Sequence, residues 1–153
     1  MKSLTEKSYE TELNAIKTLL PELDEIIHKI RADNQFKIER KAKNDLVTSA
    51  DLASEAFIVN RLSELFPDDM IWAEENHAQP EELDQRIWII DPIDGTTNFS
   101  HGFAPYCVSI AFWDRTELVL GLVYELAHKQ CFYATKGQGA YLDGTVLSVS
   151  PYT

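Results

Sequence analysis

Asp91 and Asp94 stand three positions apart in Trp88-Ile89-Ile90-Asp91-Pro92-Ile93-Asp94-Gly95-Thr96-Thr97-Asn98-Phe99. Residues 87–90 are apolar and run into the acids as a buried strand should. Pro92 lacks a backbone donor and fixes its own φ, so the strand is expected to stop there. Gly95 permits a tight reversal. The expected product is a stiff turn at a strand end that presents both carboxylates, with Ile93 between them. Hard divalent cations take several oxygens from such a short segment, carboxylates and a backbone carbonyl among them. Gly95, Thr96 and Thr97 add free N–H groups and two hydroxyls just beyond the acids, a combination suited to a phosphate held beside a metal. Asp-Pro and Asp-Gly are also ordinary turn formers. The Gly-Thr-Thr flank is what separates a metal and phosphate site from a plain turn.

The elements that must position this segment are visible on both sides of it. Upstream, Leu13, Ile16, Leu20, Leu23, Ile27 and Ile30 recur at three- and four-residue steps and mark one stripe of an amphipathic helix. Pro21 implies either a kink in that helix or a second helix beginning there. His28 lies beside the stripe, a partly exposed helix residue. Residues 31–44 are polar and basic, a solvated loop with a strand around residues 35–39; a lysine there is a candidate to swing over a phosphate. Thr48 followed by Asp51 fits a capping box opening a helix that runs to about Phe66, with Val59, Leu62 and Phe66 on its buried face. Asp51 then complements the helix dipole. Met70 to Ala73 reads as a short strand leading into Glu74 and Glu75, and residues 76–86, including His77, as a polar loop.

Downstream, residues 100–105 read as a connection. Apolar runs follow at 106–113, 118–124, 130–135 and 146–149. Their short separators favour antiparallel neighbours. Lys136-Gly137-Gln138-Gly139 lacks the dinucleotide-binding spacing and follows a strand, so it reads as a turn. Helices followed by mostly antiparallel strands make an α+β layer architecture.

At 153 residues the chain is one domain with enough length for a core. Fourteen basic against 25 acidic side chains give a net charge of −11, which argues against nucleic acid or an anionic membrane as partner. No apolar run is long enough to span a membrane. The N-terminus lacks an apolar signal core, so the expected location is cytoplasmic. Cys107 and Cys131 lie in apolar, strand-like runs without metal-site spacing and are expected to be buried, reduced and inert.

The segment from Asp91 to Phe99 resembles the first signature of the inositol monophosphatase family, within the magnesium-dependent, lithium-sensitive sugar phosphatases. Asp45, Val47, Thr48 and Asp51 match the family's D-x-V-T-x-x-D segment, and Glu74-Glu75 its acidic pair, with Ala73 where Gly is usual. The resemblance implies helices on a mostly antiparallel sheet, the first half of a layered α-β-α-β-α fold. It implies that Glu74, Asp91, Asp94 and the Ile93 carbonyl hold two or three Mg2+ ions, with inhibition by Li+. Thr96 with Glu74 would orient the attacking water, Asp51 would be an outer carboxylate near the metals, and Asp94, Gly95, Thr96 and Thr97 would contact the substrate. The implied reaction is hydrolysis of a small phosphate monoester, inositol monophosphate by default, without a Cys or His nucleophile. Homodimers are the family's common assembly.

The family's second signature, a W-D-x-A-A-G-type segment, is absent. Trp113-Asp114 continues as Arg115-Thr116-Glu117 and sits in a hairpin pattern. Residues 1–153 are therefore expected to be the N-terminal part of the family pattern, binding Mg2+ weakly, turning over poorly and exposing apolar surface. The alternative is a catalytically inactive binding protein derived from a truncated phosphatase.

Overall fold

The computed structural model describes residues 8–33, 37–42, 45–75 and 79–150. Helix α1 spans Glu10–Ala32 and buries Ile16, Leu19, Leu20, Leu23 and Ile27. Pro21 lies inside it and faces solvent, so of the two readings a single helix is correct. The apolar stripe continues on both sides of Pro21 into one core, which offsets an interior-proline cost of about 3 kcal/mol. A ribbon of β1 (Ile38–Ala42) and β2 (Asp45–Thr48) follows, so the strand expected around residues 35–39 runs on to Ala42 and occupies part of the expected loop; residues 35 and 36 lie outside the described residues. Helix α2, Ser49–Leu65, opens on the predicted capping box: Thr48 accepts from the amides of Ala50 and Asp51, and Asp51 accepts from the amide of Thr48.

The main sheet has seven strands in the order β3-β4-β5-β6-β7-β8-β9. β3 (Met70–Ala73) pairs with β4 (Arg86–Asp94) in parallel. β5 (Cys107–Asp114), β6 (Glu117–Glu125), β7 (Gln130–Thr135), β8 (Gly139–Leu142) and β9 (Thr145–Val146) are joined antiparallel in turn. One face supplies Trp88, Ile90, Ile110, Phe112, Leu120 and Leu122 to the core shared with α1 and α2. The opposite face carries Ile89, Ala111, Gly121, Val123 and Ala134 and is only partly covered. An apolar hollow of about 260 Å³ lies on it, between β5, β6, β7 and β8.

Several local expectations are corrected. β4 does not stop at Pro92 but reaches Asp94 through a bulge, its register jumping from Asp91–Ser109 to Asp94–Cys107. The missing donor of Pro92 is tolerated because the paired register of β3 with β4 ends at Ala73 and Ile90, and the one bond beyond it, from the Glu74 amide to the Ile90 carbonyl, needs no donor from Pro92. The stretch at 100–105 is not all connection: a short helix, α3 (Thr96–His101), runs into it, with left-handed Gly95 before it, left-handed Gly102 after it, and buried Phe99 as its anchor. Downstream, β8 forms within the stretch read as a separator, while of the run at 146–149 only Val146 is in a strand, as the second residue of β9; Val149 is 94% exposed. Cys131 is buried, but Cys107 is only half-buried, at the bulge; both are free thiols.

Candidate metal and phosphate site

Because β3 and β4 are parallel, their C-terminal ends open on the same side. Ala73 pairs with Ile90, and the amide of Glu74 donates to the Ile90 carbonyl at 3.1 Å, carrying the ladder one step further. This brings Glu74 beside Asp91, and the bulge adds Asp94. Asp91 is pushed up to about 7. Burial is the largest cause, followed by the charges of Glu74 and Asp94 and a hydrogen bond shared with Glu74; the amide of Ile93 pulls the other way. Asp91 Oδ1 is buried with no hydrogen-bond partner among the described residues.

A buried, unsatisfied carboxylate oxygen crowded by two further acids is a poor arrangement in itself. It fits a hard divalent cation, which would supply the missing partner and offset the repulsion. Among the described residues, no three acidic, His or Cys side chains converge closely enough to enclose an ion as they stand. A cavity of about 330 Å³ adjoins Asp91, lined by Trp72, Glu74, Ile89, Ile90, Ser109 and Ala111.

Asp51 enters from the start of α2 and is 1% exposed. Its Oδ2 accepts from the Thr48 amide at 2.8 Å and from the Thr48 hydroxyl. Thr96 Oγ1 lies 3.1 Å from Asp51 Oδ1 and 2.9 Å from the Ile93 carbonyl. With one proton, the Thr96 hydroxyl donates to one of the two acceptors at a time. Burial raises the pKa of Asp51, against the lowering effect of the bonds from Thr48 and Thr96.

Position 95 favours glycine on two counts. Its φ is +87°, and an added Cβ would meet the Pro105 carbonyl oxygen at 3.3 Å and Tyr106 Cα at 3.4 Å. Thr97 is exposed, and its carbonyl accepts from Ser100 Oγ at 2.8 Å. Glu74, Asp91, Ile93, Asp94, Gly95, Thr96 and Asp51 are thus gathered at one end of the sheet, with Thr97 at its rim. Lys37 is exposed. Lys43 and His77, and the side chains of Lys41 and Asp45, lie outside the described residues.

Two neighbours were not singled out from sequence. Glu55, one turn beyond Asp51 and 1% exposed, accepts the amide of Glu75 at 2.6 Å and so fixes the turn that carries Glu74. Its signal was present: Asp51, Glu55, Ile58 and Leu62 fall on one helical face, where an acid among apolar residues needs a partner. Cys107 Sγ lies 3.9 Å from Asp94 Oδ2; its place at the bulge had no sequence signal.

Residues 6–153 match the model of the inositol monophosphatase family. The chain is 40% identical over 126 residues to the fructose-1,6-bisphosphatase/inositol-1-monophosphatase of Thermotoga maritima, covering 82% of this chain and 47% of that protein. Its fold is similar to that of staphylococcal inositol monophosphatase-1 in a LiCl-soaked inhibitory complex, with a TM-score of 0.86 and 28% identity over 96% of this chain and 56% of the other. It is likewise similar to an IMPase/NADP phosphatase complexed with Mg2+ and phosphate, with a TM-score of 0.86 and 27% identity over 95% and 55% of the two chains. The chain spans about half the length of the curated relatives it matches.

Proposed function

The chain belongs to the inositol monophosphatase family, and from that premise we propose that it forms the N-terminal α+β part of a Mg2+-dependent phosphomonoesterase acting on small phosphorylated substrates, inositol monophosphate first among them. The observation that carries this reading is the meeting of Glu74, Asp91 and Asp94 at the ends of two parallel strands, with Asp91 Oδ1 buried and unbonded among the described residues. Glu74, Asp91, Asp94 and the Ile93 carbonyl would hold two or three Mg2+ ions. Bound there, the ions supply charge neutralisation at the phosphate and a water acidic enough to attack near neutral pH.

The remaining work falls to the chain's own groups. The Thr96 hydroxyl donates to Asp51 and keeps its lone pairs free to accept from the attacking water. Glu74 accepts from the same water on its other side. Asp51, held by two donors of Thr48, fixes the direction of the Thr96 hydroxyl. The amides of Gly95, Thr96 and Thr97 face the phosphate oxygens. Li+ would inhibit, as in the staphylococcal relative. Two free cysteines agree with a cytoplasmic setting.

The test pairs a calorimetric Mg2+ titration with phosphate release from a panel that includes inositol 1-phosphate, on the chain and on Asp91→Asn. Mg2+ binding lost in the variant, with any release lost alongside it, supports the reading. Mg2+ binding that survives the substitution unchanged overturns it.

A further inference from the structure

We propose that Arg31, in the last turn of α1, is a positioning residue that sets the backbone of Gly95 and Thr96; the proposal rests on the reading of that segment as the phosphate and water site. Arg31 is far from the acidic cluster in sequence and touches none of the proposed ligands. Its Nη1 donates to the Tyr106 hydroxyl at 3.1 Å. Its guanidinium lies 4.8 Å from the Phe99 ring centre and 5.6 Å from that of Tyr106. The two rings meet edge to face at 5.1 Å. One planar cation therefore holds both aromatic side chains at once.

Those two residues are the ones that grip Gly95. The amide of Phe99 donates to the Gly95 carbonyl at 2.9 Å, forming the first turn of α3. Tyr106 Cα and the Pro105 carbonyl oxygen back the other side of Gly95, 3.4 and 3.3 Å from where a Cβ would sit. Asn98 Nδ2 donates to the same Pro105 carbonyl at 3.0 Å, closing the loop on itself. The guanidinium also occupies the room a side chain at position 102 would need: a Cβ on Gly102 would lie 2.8 Å from Arg31 Nη2.

α3 has only six residues, too short to hold its shape unaided. Its position is set by what clamps its ends, and Arg31 ties the clamp to the long helix α1. A lysine reproduces this only in part, since it keeps the charge over the rings but lacks the planar fork that bonds one group while stacking on others. A helix-terminal cation serving only the α1 dipole would leave α3 indifferent to its removal.

Arg31→Met keeps the stem and removes the fork; Arg31→Lys keeps the charge; Tyr106→Phe removes one acceptor. Arg61→Met is the control, since Arg61 also lies over an aromatic ring, Phe57, and pairs with Glu22, at a site not in contact with α3. The measurements are Mg2+ affinity, affinity for inorganic phosphate at saturating Mg2+, and amide hydrogen exchange at residues 95–99. Arg31→Met is expected to weaken phosphate binding by roughly five- to tenfold and to speed exchange at 95–99, with Mg2+ affinity held within about twofold. Arg31→Lys and Tyr106→Phe should shift the same two readouts by less, and Arg61→Met neither.

Phosphate affinity and exchange unchanged in Arg31→Met, or changed equally in Arg61→Met, would overturn the proposal. If Arg31→Met does not fold, the same comparison on Tyr106→Phe and Arg31→Lys decides. No Mg2+-dependent phosphate binding in the unsubstituted chain would overturn the functional reading and this inference with it; binding that Asp91→Asn abolishes but Arg31 variants leave intact would overturn this inference alone.

Discussion

Thr96 Oγ1 stands 3.1 Å from Asp51 Oδ1, a contact between the first residue of α3 and the first turn of α2 across 45 positions of sequence. It joins a buried, doubly held carboxylate to a hydroxyl that also reaches the Ile93 carbonyl. Thr96→Val is expected to leave Mg2+ binding near its original affinity and to lower any Mg2+-dependent phosphate release by about a hundredfold or more. Thr96→Ser should retain most of it. Single-turnover phosphate release beside a Mg2+ titration checks both.

Gly95 and Gly139 share a left-handed φ, +87° and +83°, but only Gly95 has backbone within reach of an added Cβ. Gly139→Ala should cost about 1–2 kcal/mol from backbone strain alone. Gly95→Ala should cost at least that and also displace Thr96, so phosphate affinity falls in one variant and not the other. Urea unfolding with phosphate calorimetry separates the two effects.

Asp91 carries a pH signature. Its folded-state pKa of about 7 lies above its ordinary 3.8. Between those values the folded chain holds a proton that the unfolded chain has released, so this group's contribution to stability falls as pH rises from about 4 to about 7. Without metal, the denaturation midpoint should show that decline, and Asp91→Asn should flatten it. Saturating Mg2+ favours the ionised form and should reverse the slope. Denaturation series at several pH values, with and without Mg2+, give the answer.

Arg86 ties the start of β4 to two other parts of the fold. It donates to both oxygens of Asp69, at 2.6 and 3.0 Å, and to Glu12 at 2.9 Å, while lying 4.7 Å from the Phe112 ring centre. Trp88 Nε1 donates to the same Asp69 at 3.0 Å. Arg86→Met strands two nearly buried carboxylates and should cost about 3–5 kcal/mol. The double variant Arg86→Met with Asp69→Asn should recover part of that loss in urea unfolding.

What could be read from the chain alone was local. The capping box at Thr48 and Asp51, the strand at 70–73, the apolar runs at 106–113 and 118–124 and the acid pair around Pro92 all follow from periodicity and turn chemistry within a few residues. α3 was missed because its six residues carry no apolar repeat; Phe99 and two left-handed glycines make it, and only packing uses them. The passage of β4 through Pro92 was missed because proline rules out a donor, and whether a donor is needed depends on where β3 ends.

The sequence by itself determined which residues could bind a cation and a phosphate, since side-chain chemistry and short spacings are written there. Tertiary structure alone decided that Glu74 stands beside Asp91, that Asp51 reaches Thr96, that Glu55 braces Glu75 and that Arg31 grips the loop behind Gly95. Each of these depends on two distant segments burying their apolar faces in one core. That choice is set by the total area removed from water, which no single stretch of the chain contains.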